Sequence, residues 1–145
     1  MSRNRSRCKG SSLIEFAVSA FLLVMVLLSI VEFGRMLLVY NAVANAARAG
    51  VRYAIVHGGN RTGSGVNGPS GPGANPPEVV TWVQTIGGTG MLNSAQLTIN
   101  VTYPDGSNGT GSRVNVQVTY PYDPLVAYFP VAVNLSSTSE GVIAF

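Results

Sequence analysis

Charge is scarce in this chain. Only 10% of its 145 residues are Asp, Glu, Lys or Arg, against about a quarter in ordinary soluble domains. With 46% apolar residues, that deficit excludes a charge-rich disordered chain and points to a segment immersed in lipid. Cysteine is almost missing too. The one thiol, Cys8, lies in the basic tail, so no intrachain disulfide exists and a Cys-based metal site or thiolate catalysis is excluded. The one histidine, His57, excludes a multi-histidine metal centre. With six scattered acids there is no visible triad or ligand cluster. No catalytic residue, metal ligand, cofactor or small-molecule substrate is therefore expected, and the chain does not read as an enzyme.

The charge that is present is unevenly placed. Arg3, Arg5, Arg7 and Lys9 fall within the first nine positions, and the remainder carries five basic against six acidic residues. The basic character belongs to a tail and not to a face, so no nucleic-acid partner is expected.

Residues 1–10 (MSRNRSRCKG) form a short basic leader. Behind it, Phe16 to Val31 is a sixteen-residue run whose only polar members are Ser19 and Ser29. Extended over about 13–34, the run is long enough to cross a bilayer as a helix. Basic residues precede it and none follows until Arg35, which puts the N-terminus in the cytoplasm and the rest outside. A secretory signal fits poorly, because Glu32-Phe33-Gly34-Arg35 follows the run where a small-residue cleavage site is required. No proline occurs from Met1 through Gly68, and an Ala-rich pattern continues to Val56. One helix is expected from about Ser12 to Val56, within a segment 11–57, with its second half projecting from the membrane. Seven glycines and four prolines make residues 58–77 a linker. Residues 78–145 read as a small α+β extracytoplasmic domain.

That domain opens with a short helix, Glu78 to Ile86, with Val79, Val83 and Ile86 on one side. Two alternating strands follow, one carrying Leu97, Ile99, Val101 and Tyr103, the other Val114, Val116, Val118 and Tyr120. Pro104 to Gly111 makes the hairpin loop between them. Val131–Leu135 and Gly141–Phe145 suggest two further short strands. The fold class is α+β: a long N-terminal helix, then a small antiparallel sheet of three or four strands with a helix upon it. A single-faced sheet leaves room for the long helix to cover part of the rest. Trp82 and the tyrosines are expected to be core or packing residues and not a binding stack, and His57 to favour the C-terminal dipole of the helix.

The functional signal lies at the first junction. Gly10 is followed five places later by Glu15, then Phe16 and the apolar helix. A glutamate within a membrane segment is costly unless partnered. Cleavage after Gly10 would turn Ser11 into a free α-amino group, a natural partner for Glu15 in the same or a neighbouring subunit. The competing explanation is a Ser12-x-x-Glu15 capping box, which accounts for neither the glycine nor the apolar run.

Two further patterns lie on the helix. Ala42, Ala46, Gly50 and Ala54 form an i, i+4 row of small residues. Such a row suits close approach of another helix in lateral assembly, or packing on the chain's own domain. Glu32 and Arg35 are three apart, and either neutralise one another near the membrane interface or pair between subunits to set helix register.

Gly10-Ser11-Ser12-Leu13-Ile14-Glu15-Phe16 resembles the processing motif of type IV pilins, in the Glu–aromatic form of Flp/Tad pili. Ile30-Val31-Glu32-Phe33-Gly34-Arg35, Tyr40 to Val43 and Asn45 to Ala54 resemble the TadE-like family of minor pseudopilins. The resemblance covers residues 10–55. It implies cleavage after Gly10 by a prepilin peptidase in the inner membrane, partnership with other Tad pilins and the Tad export machinery, and a role in pilus assembly and cell adhesion. Two readings follow: a minor pseudopilin assembled through its N-terminal helix, or an uncleaved, single-pass binding module facing the periplasm or surface.

Overall fold

Residues 8–59, 75–89, 92–125 and 133–144 are described by the computed structural model of the chain. Most of the leader and of the Gly/Pro-rich linker therefore lie outside the described residues, as do Val131, Ala132 and Phe145 of the two strands expected near the C-terminus.

The first helix, α1, runs without a break over Cys8–Val56, about 73 Å at helical rise. No proline interrupts it and no glycine clusters within it. The helix starts before Ser12, so Ser12 and Glu15 are interior helical residues and do not form the capping box. Along α1 the environment changes once. The most apolar 18-residue window is wholly outside the chain's own core. From Val39 onward the helix becomes amphipathic: Val39, Val43, Ala46, Ala47, Gly50, Val51 and Ala54 are buried, a stripe of helical period turned to the domain.

The second helix, α2, spans Pro77–Gly88 and begins with proline at its first turn, where a missing N–H costs nothing. Val79, Val83 and Gly87 face inward, whereas Ile86, expected on that side, is 38% exposed. The i, i+4, i+8 spacing of Val79, Val83 and Gly87 defines the seat, and Gly87 completes it because a Cβ there would lie 2.6 Å from Leu97 Cδ1. A single 3-10 turn, Ser94–Gln96, leads into the sheet.

The sheet has three antiparallel strands in the order β1 (Thr98–Thr102), β2 (Arg113–Tyr122) and β3 (Val133–Val142). Its inner face carries Ile99 and Val101 from β1 and Val114, Val116, Val118 and Tyr122 from β2, all buried. The outer face is polar, as expected of an antiparallel sheet covered on one side. The two short strands expected near the C-terminus are one. Ten residues of β3 pair continuously with β2, from Arg113↔Val142 to Tyr122↔Val133. Apolar alternation lapses through Ser136–Glu140, yet a full-length partner in β2 holds the register. Small residues also have a use there. Gly141 faces α1 so closely that a Cβ would lie 2.5 Å from Ile55 Cδ1 and 2.7 Å from Val51 Cγ1.

The chain thus closes its core with the outer half of α1 on one side and the sheet on the other, α2 beside both. Backbone bonds lock the far end: Ala144 N–H donates to Ile55 O at 3.1 Å, and Gly59 N–H to Asn108 O at 2.8 Å. The edge of β1 is also closed, by Asn75, whose Oδ1 accepts from Val101 N–H at 2.7 Å and whose N–H donates to Val101 O at 3.1 Å.

Candidate functional site: the first helix and its junction with the domain

The first half of α1 is bare. Leu13, Ile14, Phe16, Phe21, Leu23 and Val31 are among the large apolar side chains left more than half exposed there. Leu13 to Phe33 covers about 31 Å, the thickness of a hydrocarbon core. Its one bonded hydroxyl, Ser29 Oγ, donates to Met25 O at 2.8 Å, so that polar group is satisfied within the helix itself.

The predicted processing residues sit at the helix start. Gly10, Ser11, Glu15 and Phe16 are all exposed, and a Cβ at Gly10 would meet nothing within 4 Å. Glu15 makes no hydrogen bond or ion pair with any described residue. It is therefore an exposed carboxylate at the edge of an apolar surface.

Glu32 and Arg35 do meet, at 3.6 Å, but both also reach into the domain. Tyr122, at the end of β2, donates its hydroxyl to Glu32 Oε1, and Leu125 N–H donates to the same oxygen at 3.4 Å. Arg35 Nη2 donates to Asp123 O at 3.2 Å, and the guanidinium lies 5.1 Å from the Tyr122 ring centre. Burial, reinforced by the bond to Glu32, pushes the Tyr122 hydroxyl above its ordinary pKa, so it stays protonated as a donor. The pair is more than self-neutralising: it clips the domain to the helix where the bare segment ends. Sequence reasoning missed Tyr122, which is ninety residues from Glu32 and carries no local signal of the contact.

The small-residue row lies against the chain's own domain. Ala46, Gly50 and Ala54 are buried under the chain's own domain and Ala42 is half-buried. A Cβ on Gly50 would lie 2.5 Å from Val83 Cγ2 and 3.1 Å from Val116 Cγ1. The row lets α1 approach α2 and β2 closely, which is the packing on the chain's own domain that the row also suited. What remains open for a neighbouring helix is the bare apolar half.

Trp82 packs at the surface and not in the core. It is 42% exposed and stacks on Tyr53 with ring centres 5.2 Å apart, while His57 stacks on Tyr53 at 4.0 Å. The Tyr53–His57 spacing of four was a readable helical pair; the arrival of Trp82 from α2 was not.

Among the described residues no group of three or more His, Cys, Asp or Glu is placed to hold a metal. The bare half of α1 is long and apolar enough to cross a membrane, and it continues into a helix seated on a small sheet. Residues 10–52 match the model of the TadE-like protein family. The match takes in the Gly10–Glu15 junction, the apolar run, Glu32, Arg35 and most of the small-residue row, and leaves the sheet outside. No curated protein and no solved structure matches the chain.

Proposed function

We propose that this chain is a structural and assembly subunit, a minor pseudopilin of a Tad/Flp-type pilus. The observation that carries the reading is the bare apolar half of α1, headed by a Glu15 that has no partner among the described residues, within the segment that matches the TadE-like model. A prepilin peptidase removes residues 1–10, and the new α-amino group of Ser11 neutralises Glu15 within a subunit or between neighbours. Before assembly, lipid of the inner membrane covers the bare half, with the N-terminus in the cytoplasm and the domain outside. In the assembled state, helices of other Tad pilins or pseudopilins replace that lipid, handed over by the Tad export machinery. Nothing in this role breaks or makes a bond on the chain's own account.

Intact-mass spectrometry of the protein from its native membrane, with and without the peptidase, tests this. A species beginning at Ser11 only when the peptidase is present is expected. A full-length chain in both cases overturns it and leaves an uncleaved anchored module.

A further inference from the structure

A groove of about 710 Å³ lies between the outer end of α1 and α2, within the range of small-ligand sites. Arg48 and Arg52 line it from α1, with Asn45, the stacked Tyr53 and His57, and Trp82 from α2. The two arginines are one helical turn apart on an exposed face. Arg48 touches only Asn45 Oδ1, at 3.5 Å, and Arg52 makes no hydrogen bond or ion pair with any described residue. Two uncompensated guanidiniums therefore flank an aromatic wall that is held rigid by stacking. His57 Nδ1–H donates to the Tyr53 carbonyl oxygen at 2.8 Å, which leaves Nε2 as the ring nitrogen available to a ligand.

We propose that this groove binds an acidic polysaccharide, with a sugar ring against Trp82 and its carboxylates on Arg48 and Arg52. Planar guanidiniums pair with carboxylates in two-pronged fashion. The aromatic face takes the apolar side of a pyranose, and Asn45 and His57 bond its hydroxyls. An apolar partner helix fits poorly, because docking it would bury the Arg48 and Arg52 guanidiniums without a countercharge. Lipid headgroups are out of reach: Arg48 lies thirteen residues beyond Arg35, about 20 Å further along the helix. A nucleic acid, with its dense phosphates, needs more cations than these two. The inference rests on the pseudopilin reading only for the side of the membrane on which the groove lies.

The test is binding of the full chain in detergent to polygalacturonate oligomers, with neutral dextran and polyphosphate as controls. Arg48→Gln, Arg52→Gln and Trp82→Ala are each expected to weaken polygalacturonate binding about tenfold, the scale of one hydrogen bond to a charged group. Trp82→Tyr should restore most of what Trp82→Ala loses, which separates stacking from a folding defect. Dextran should not bind, and polyphosphate should bind more weakly. Absence of polygalacturonate binding overturns the proposal, as does equal binding of polyphosphate or indifference to Trp82→Ala. If the arginine substitutions change sedimentation of the chain and not its sugar binding, the groove is an interface between copies and the proposal falls. A chain cut at Gly10 that ignores polygalacturonate would leave the pseudopilin reading standing.

Discussion

Tyr122 is the residue on which the two halves of the molecule meet. Its hydroxyl, Leu125 N–H and Arg35 all converge on Glu32, so a carboxylate beside the apolar run has several donors and one countercharge. Tyr122→Phe removes the hydroxyl and keeps the ring. A bond to a charged acceptor is worth about 1.5–3 kcal/mol, and Glu32 retains 20% of its side-chain exposure. A loss of about 1–2 kcal/mol in unfolding free energy is expected, with faster amide exchange at Leu125 as the local sign. Unchanged exchange there would show that the clip does not hold the domain. A second residue pair acts at the opposite end. Arg113 holds the β1–β2 loop through Asp105, by a 2.8 Å ion pair and a 2.8 Å bond from Arg113 N–H. These hydrogen bonds hold the Asp105 carboxyl below its ordinary pKa. The folded state therefore gains from the ionised form above the unfolded value near 3.9, and loses that gain as pH falls through the lower, folded value. Loop amides around Gly106 should stay protected at neutral pH and open only below about pH 4. In Asp105→Asn, the same amides should exchange fast at every pH.

At the scale of elements, α1 is decisive because one helix performs two tasks in succession. Its outer half is cut to fit: Gly50 leaves no room for a Cβ beside Val83 and Val116. Gly50→Val places a branched side chain in that gap. Overpacking of a close-fitted core costs about 1–3 kcal/mol, more than the small gain from replacing a helical glycine. Net destabilisation of about 2 kcal/mol is expected, read by thermal unfolding of the full chain in detergent. An unchanged midpoint would mean that α1 does not pack on the domain through this row. The sequence showed that Ala42, Ala46, Gly50 and Ala54 permit close approach, but a small surface is indifferent to what approaches it. The partner, α2 with β2, is fixed by tertiary packing. For β1 and β2 the alternation of Ile99, Val101, Val114, Val116 and Val118 was legible, since period-two burial is a local property. The serine-rich middle of β3 was not, because its strand state comes from pairing with β2. Of the candidate site, the Gly10–Glu15 junction and the Glu32–Arg35 spacing could be read locally. Tyr122 and Trp82 reach their partners only through the fold.

For the whole molecule, the change in environment along α1 defines where it can be divided. The apolar run before Glu32 is bare, whereas Val39, Val43, Val51 and Ala54 are core residues. A fragment beginning at Ser29 keeps the Glu32 clip and the entire inner stripe, and Ser29 can serve as its N-cap. It should fold without detergent and unfold cooperatively, with the sheet intact by circular dichroism. A fragment beginning at Gly58 keeps α2 and all three strands but exposes the inner face of the sheet over Val114, Val116 and Val118, which α1 otherwise covers. A three-stranded sheet with only a short helix upon it lacks the apolar cover that independent stability requires. That fragment should be unfolded or aggregated. If it folded as a monomer, α1 would be an appendage and not a wall of the core, and the Gly50 and Tyr122 contacts would have to be optional. If the Ser29 fragment failed while the full chain folded, the bare half would be contributing stability through a surface that lies outside the chain's own core. A neighbour or the bilayer would then be part of the fold itself.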